Sequence, residues 1–278
     1  MLASADLLSR ELLPVTDPRP SLAAPVTVVA LHGNGGGGSR FARAAAHLGD
    51  RVRLVAPTLP GFGNVPADPA IRSLRGCADW VARELERHPR PRVLLGHGIG
   101  GSIALEVLQH HAHLVDGVIL QSPVGARLAQ RRFPKLMKLP GMRTLARRML
   151  AMRILRGLWT RRLFDGASPE GAVPREHLDA FFEGYRRCAL FGAMFDWITA
   201  AWFEQLRPVA VPAVLSWGGS ERVLAPEHAA AFARLLPGSR TVVEPGWGHF
   251  PMLDRPRAWA ARLEQVACEL AAGRGVRA

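Results

Sequence analysis

The sequence predicts an α/β fold, a mostly parallel sheet with helices on both faces and a helical cap inserted into it. Short β-branched runs alternate with amphipathic helical stretches along most of the chain, which indicates right-handed strand–helix–strand units. The alternation breaks between about residues 125 and 207, where the pattern is long, helical and irregular. An insertion at the carboxyl edge of such a sheet is typical of a lid over a site.

The predicted elements begin at residue 26. Strands are expected at 26–31, 52–56, 92–95, 118–121, 213–217 and 241–243, and helices at 39–47, 73–87, 99–110, 227–236 and 256–270. Residues 26–125 and 207–272 then form the core, and 126–206 form the cap. Residues 1–25 are a proline-punctuated lead-in, and 273–278 are a tail.

The composition is that of a soluble domain large enough to bury its own core. Of the 278 residues, 48% are apolar and 21% are charged. The N-terminus lacks a signal-peptide pattern and no apolar stretch is long enough to span a bilayer, so a cytoplasmic protein is expected. Cys77, Cys188 and Cys268 are odd in number and far apart, which predicts reduced thiols and shows no metal-ligand spacing.

The net charge of +13 has a compositional explanation. Lys135 and Lys138 are the only lysines, so arginine carries nearly all of the positive charge in a chain that is also rich in Ala, Gly and Pro. That bias resembles a GC-rich coding sequence more than selection for a polyanion, and nucleic acid is not predicted as a partner.

One basic region departs from this explanation. No acid stands between Asp116 and Asp165, and Met and Leu residues are interleaved there with twelve basic residues. These are Arg127, Arg131, Arg132, Lys135, Lys138, Arg143, Arg147, Arg148, Arg153, Arg156, Arg161 and Arg162. We expect amphipathic helices that are apolar toward the site and basic outward. A solvated lid is the simpler interpretation, and weak contact with an anionic membrane or an acyl-carrier protein is the alternative.

A glycine-rich turn follows the third predicted strand and opens a helix. Its sequence, Gly96-His97-Gly98-Ile99-Gly100-Gly101, has the context of the nucleophile elbow G-x-S-x-G, with Gly98 at the serine position. The spacing also fits the dinucleotide fingerprint G-x-G-x-x-G. That fingerprint belongs after a first strand and is followed by an acid about 20 residues on. Here the strand is the third and Asp116 leads into the next one, so the elbow is favoured.

Four further short motifs lie before and after the elbow along the chain. They are His32-Gly33-Asn34-Gly35-Gly36, Pro57 to Gly63 with Thr58 in place of an acid, Trp217-Gly218-Gly219-Ser220-Glu221, and Gly248-His249-Phe250 followed by Asp254-Arg255-Pro256. With the elbow, they resemble the α/β-hydrolase superfamily, in the branch with H-G-x-G-G loops and a helical cap. The resemblance covers about residues 26–270.

The resemblance implies a role for each site residue. His249 would be the base, Glu221 the acid that orients it, and the backbone N–H groups of Asn34 and Ile99 the oxyanion donors. Gly98 would occupy the nucleophile position without a hydroxyl. The nearest other hydroxyls, Ser39, Ser102 and Ser122, are no persuasive replacement, and Ser102 should pack away from the oxyanion amides.

Two functions remain open from the sequence. The first is an enzyme that acts on a hydrophobic ester or carbonyl substrate through His249 and Glu221 without covalent catalysis. The glycine would then be a natural divergence, or the mark of a serine deleted to trap substrate. The second is a non-catalytic ligand-binding or scaffold protein. Both place a small hydrophobic molecule under the cap, with no cofactor and no metal.

Overall fold

The computed structural model describes residues 24–164 and 168–273, so nearly all of the predicted lead-in and tail lies outside the described residues. A six-stranded sheet forms the centre, in the order β2-β1-β3-β4-β5-β6. The strands are β1 (Val26–Leu31), β2 (Val52–Val55), β3 (Arg92–His97), β4 (Gly117–Gln121), β5 (Ala213–Gly218) and β6 (Arg240–Glu244). Every pairing is parallel. The α/β-hydrolase-type fold is therefore confirmed.

The order of the sheet reverses at β1, which lies between β2 and β3. Ligands of open α/β sheets bind at the carboxyl ends of the strands beside such a reversal. The register pairs Leu31 with Gly96, so the ends of β1 and β3 lie side by side. The loop that begins at His32 therefore meets the turn at Gly98.

Twelve α-helices are described around the sheet. They are α1 (Ala42–Ala45), α2 (Leu74–Glu86), α3 (Ile99–His111), α4 (Arg132–Leu136), α5 (Met142–Ala151), α6 (Arg156–Leu163), α7 (Arg175–Arg186), α8 (Met194–Trp197), α9 (Ala200–Gln205), α10 (Ala229–Ala233), α11 (Pro251–Asp254) and α12 (Pro256–Ala271). Helices α2 and α3 pack together, with α3 on the central strands, whereas α12 covers β1 to β4 with α1 beside it.

Two predicted helices are shorter than expected because each begins as a 3₁₀ turn. The helix expected at 39–47 is a 3₁₀ turn, Gly38–Phe41, followed by α1. The helix expected at 227–236 is likewise a 3₁₀ turn, Pro226–His228, followed by α10. In both, early N–H groups bond to the carbonyl three residues back, as in Arg40 N–H to Gly37 O (3.1 Å).

Helices α4 to α9 lie between β4 and β5 in the chain and build the cap. Helix α7 contacts the turn that follows the β1 loop, and α5 packs on α7. The approach of α7 to the loop is close, since a Cβ on Gly184 would lie 2.5 Å from the carbonyl oxygen of Gly35. The cap therefore lies over the carboxyl ends of β1 and β3.

The Met and Leu side chains of the cap divide between the interior and the surface. Leu128, Met137 and Met194 are buried, whereas neither α5 nor α6 buries a side chain fully. Most of the buried inner side of the cap is aromatic, namely Phe164, Phe181, Phe182, Tyr185 and Phe191. Helix α7 takes the inner position with α5 packed on it, and Leu150 of α5 and Leu163 of α6 are partly buried against the core. That Met and Leu side chains line the site stays a prediction.

Candidate active site

Gly98 forms the turn between β3 and α3 with φ 58° and ψ −118°. Side chains rarely adopt this conformation, and glycine adopts it without strain. The Gly98 N–H donates to Gln121 O (3.1 Å), and the Gly98 carbonyl accepts from Gly101 N–H (3.1 Å) and Val124 N–H (3.0 Å). These bonds fix the backbone of the turn at which the sequence analysis expects the nucleophile elbow.

A side chain at position 98 would enter open space. Within the described residues, and apart from the chain neighbours of Gly98, the only heavy atom within 4 Å of a Cβ built there is the Gly33 Cα, at 3.5 Å. The flanking glycines differ, since a Cβ on Gly96 would lie 2.5 Å from Gly100 O and one on Gly100 would lie 2.4 Å from Leu31 O. Packing therefore requires glycine around the elbow but does not require it at the elbow's centre.

His249 and Glu221 form a buried base–acid pair. The two loops that follow β6 and β5 carry them, and His249 Nδ1 lies 2.7 Å from Glu221 Oε2. The Glu221 side chain is fully buried, and its Oε1 accepts hydrogen bonds from Val223 N–H (2.6 Å) and Leu224 N–H (3.2 Å). The carboxylate thus fixes the proton on Nδ1 and leaves Nε2 as the basic nitrogen.

The pKa of Glu221 shows that the pair favours the ionised acid. Burial alone would raise this pKa, but the charge and hydrogen bond of His249, with the Val223 N–H and the Ser122 hydroxyl, outweigh it and lower the pKa to about 2. Glu221 is therefore held as a carboxylate beside His249.

His97, the residue before the elbow, holds the backbone of His249. Its Nε2–H donates to His249 O (2.9 Å), and the two imidazole rings lie 4.6 Å apart. Burial, followed by the charges of His249 and Arg40, lowers the His97 pKa well below its ordinary value. His97 is a neutral donor that links the elbow strand to the loop of the base.

The loop after β1 is held so that its amides can face the elbow. His32 Nδ1–H donates to Gly33 O (3.0 Å), and His32 Nε2 accepts from Leu59 N–H (3.1 Å). Burial lowers the His32 pKa to about 4, so this tether is neutral. The Asn34 side chain accepts from Gly35 N–H (3.0 Å) and donates to Phe191 O (3.2 Å), which ties the loop to the cap.

The two amides expected to form the oxyanion hole are unoccupied by protein acceptors. Among residues 24–164 and 168–273, neither Asn34 N–H nor Ile99 N–H donates a hydrogen bond. Ile99 is the first residue of the 13-residue helix α3, whose dipole favours negative charge there. Neither amide is therefore taken up by an acceptor in the described residues.

Arg40 is a site residue that the sequence reasoning missed. It is 3% exposed, and its guanidinium lies 4.3 Å from the ring centroid of Phe181 and 5.3 Å from those of Tyr185 and Phe250. Its Nη2 donates to Asn34 O (3.4 Å), and no carboxylate in the described parts of the chain pairs with it. A buried positive charge beside the loop stabilises negative charge that develops nearby. In an arginine-rich sequence nothing distinguishes Arg40 from surface arginines.

Ser39, Ser102 and Ser122 are the candidate hydroxyls nearest to Gly98 in sequence. Ser102 Oγ donates to Val124 O (2.7 Å), and Ser39 is exposed. Ser122 is buried beside Glu221. In the described ranges no group of three or more His, Cys, Asp or Glu side chains could hold a metal ion.

The parallel sheet, with the Gly98 turn and the His249–Glu221 pair at its carboxyl edge, is the arrangement that the resemblance to α/β hydrolases implies. A sequence model of the alpha/beta hydrolase family matches residues 28–262, so the chain belongs to that family.

The relatives include esterases and an uncharacterised protein. An uncharacterised protein of Mycobacterium tuberculosis is 27% identical over 253 residues, covering 86% of this chain and 74% of that protein. A pimeloyl-[acyl-carrier protein] methyl ester esterase of Neisseria meningitidis is 25% identical over 241 residues, covering 84% and 90%. A crystal structure of a lipase candidate from Acinetobacter baumannii AYE superposes with a TM-score of 0.73 at 20% identity, covering 91% and 86%. The last likeness concerns the fold alone.

Proposed function

We propose that this protein is an α/β-hydrolase-fold enzyme that hydrolyses a hydrophobic ester or related carbonyl compound without a covalent intermediate. The observation that carries the proposal is the buried His249–Glu221 pair, 2.7 Å apart, retained beside an elbow that has no nucleophile. A protein that only binds its ligand has no chemical need for a buried base with an ionised partner.

The mechanism uses water in place of serine. A water molecule in the space that the Gly98 side chain would occupy attacks the substrate carbonyl, and His249 Nε2 takes its proton. The Asn34 and Ile99 N–H groups, with the Arg40 charge behind them, stabilise the tetrahedral oxyanion. His249 then returns the proton to the leaving alkoxide, which releases an alcohol and a carboxylic acid.

The substrate class is inferred from the cap and from the relatives. The aromatic underside of the cap, where Phe181 meets Phe250 of the His249 loop edge to face at 4.9 Å, suits an apolar acyl or aryl group. The name of the Neisseria meningitidis relative specifies a methyl ester, which supports an ester as the functional group.

We propose that the protein is located in the cytoplasm. No described helix is long and apolar enough to cross a membrane.

The second candidate function is ligand binding without turnover. The observation that favours it is the tight closure of the cap, in which a Cβ on Gly35 would lie 2.2 Å from the Tyr185 ring. Together with the lost serine, such closure suits a protein that retains a bound molecule.

A panel of p-nitrophenyl esters of increasing chain length tests the proposal. We expect slow hydrolysis by the unaltered chain, and at least a tenfold loss of kcat/KM in His249→Gln, because a general base contributes about 10²-fold or more. The matched control is His47→Gln, which removes an exposed histidine. Equal rates for the parent and His249→Gln, with ligand binding intact, would establish the binding protein instead.

A further inference from the structure

The outermost layer of the cap exposes apolar side chains among unpaired cations. Of the eleven large apolar side chains that are exposed in the described residues, eight lie in one stretch of the cap. They are Phe133, Leu136, Leu139, Leu145, Met149, Met152, Ile154 and Leu158. Ile154 and Leu158 are the most exposed, at 85% and 62%. Such a concentration of exposed apolar side chains between residues 133 and 158 points to an interaction surface.

The charges of this layer divide into two sets. Arg143 and Arg156 turn inward and pair with Asp196 and Asp179. Seven other cations are exposed, and none pairs with a carboxylate in the described parts of the chain. They are Arg132, Lys135, Lys138, Arg148, Arg153, Arg161 and Arg162. Because residues 117–164 contain no acid, no negative charge on the segment itself offsets them.

We propose that this outer cap surface, the exposed side chains of residues 132–162, docks on an anionic lipid surface. Short amphipathic helices that combine exposed Leu, Ile and Phe with Arg and Lys bind at the membrane interface, where the apolar groups enter the headgroup region and the cations meet anionic lipids. An acidic carrier protein would satisfy the charges, but it gives no reason for eight exposed apolar side chains. The lid of the site would then lie against the lipid, where apolar esters are concentrated.

Vesicle co-sedimentation of the full chain tests the proposal without reference to catalysis. The probes are phosphatidylglycerol–phosphatidylcholine vesicles and pure phosphatidylcholine vesicles, each at low and high salt. We expect binding to the anionic vesicles that weakens at high salt, and at least tenfold weaker binding to the neutral ones. Negligible or equal binding to both would overturn the proposal.

Variants divide the apolar part from the charged part. The double variant Ile154→Ser, Leu158→Ser should bind vesicles at least tenfold more weakly, because it loses several apolar carbons that would otherwise enter the membrane interface. The matched apolar control is Val243→Ser, on β6. A triple variant in which Arg148, Arg153 and Arg161 are replaced with glutamine should bind anionic vesicles more weakly, by up to about fivefold for each charge lost.

The charge control replaces three exposed arginines elsewhere, Arg53, Arg222 and Arg234, with glutamine. An equal loss in this control would mean that net charge alone drives binding and would overturn the proposal. Tight binding to an acyl-carrier protein without binding to either kind of vesicle would also overturn the proposal. All of the replaced side chains are exposed, so the variants should keep the parent's circular dichroism.

Discussion

Replacing Gly98 with serine would place a hydroxyl at the position where the proposed mechanism uses water. The Gly98 backbone, at φ 58° and ψ −118°, is a conformation that costs a side chain about 1–3 kcal/mol. Space adds little to this cost, because a Cβ would have only the Gly33 Cα near it, at 3.5 Å. Gly98→Ser should therefore fold and lose about 1–3 kcal/mol in its free energy of unfolding.

The gain in activity should be large against this loss. Deleting the serine from a protease triad costs roughly 10⁶-fold in kcat. We therefore expect Gly98→Ser to hydrolyse short aryl esters at least about a hundredfold faster than the parent, and to react with a fluorophosphonate probe. The assays are urea unfolding, p-nitrophenyl acetate turnover and probe labelling.

Gly98→Ala is the matched control. It carries the same backbone cost and no hydroxyl, so it should lose similar stability and gain nothing in turnover or labelling. A folded Gly98→Ser that neither turns over nor labels would refute the reasoning. It would mean that His249 and the two amides no longer form a competent site, and the ligand-binding alternative would replace the enzyme.

Three further predictions concern stability and can be checked by urea unfolding. Folding lowers the Glu221 pKa from 4.5 to about 2, so the ionised carboxylate stabilises the fold by about 3 kcal/mol above pH 4.5. This contribution is lost as the pH falls toward 2, and Glu221→Gln should remove the pH dependence. Folded His32 stays neutral down to about pH 4 while the unfolded residue takes a proton near 6.5, so stability should fall by up to about 3 kcal/mol between these pH values, and by less in His32→Gln. Gly35→Ala should lower the free energy of unfolding by at least about 1 kcal/mol and loosen the cap, because φ at Gly35 is +68° and the new Cβ would lie 2.2 Å from the Tyr185 ring. Gly141→Ala is the control for backbone strain, since Gly141 also has a positive φ but no described neighbour within 4 Å of its Cβ. Equal losses of stability in the two variants would contradict the predicted clash.

The sequence predicted the sheet and the contact between His249 and Glu221 because both follow from local patterns. Buried strands are β-branched runs, and Glu221 and His249 each stand in a short turn directly after a strand. Topology alone then brings such turns to one edge of a parallel sheet.

The rest of the site depends on neighbours that are distant in sequence. Arg40 gains its place from Phe181 and Tyr185 of α7, and His97 from the carbonyl of His249. The layering of the cap could not be predicted for a related reason. An amphipathic pattern shows that a helix has an apolar side, but not that α7 takes the inner position or that Leu145, Met149 and Leu158 stay exposed.

Intact-mass spectrometry during turnover of an activated ester tests the central claim most directly, because it detects an acyl group on the protein. The account predicts that the unaltered chain releases product at a rate that depends on His249 and shows no added mass, whereas Gly98→Ser accumulates an acyl adduct on position 98. An acyl adduct on the unaltered chain during turnover would contradict the account, and so would product release that is equally fast in His249→Gln.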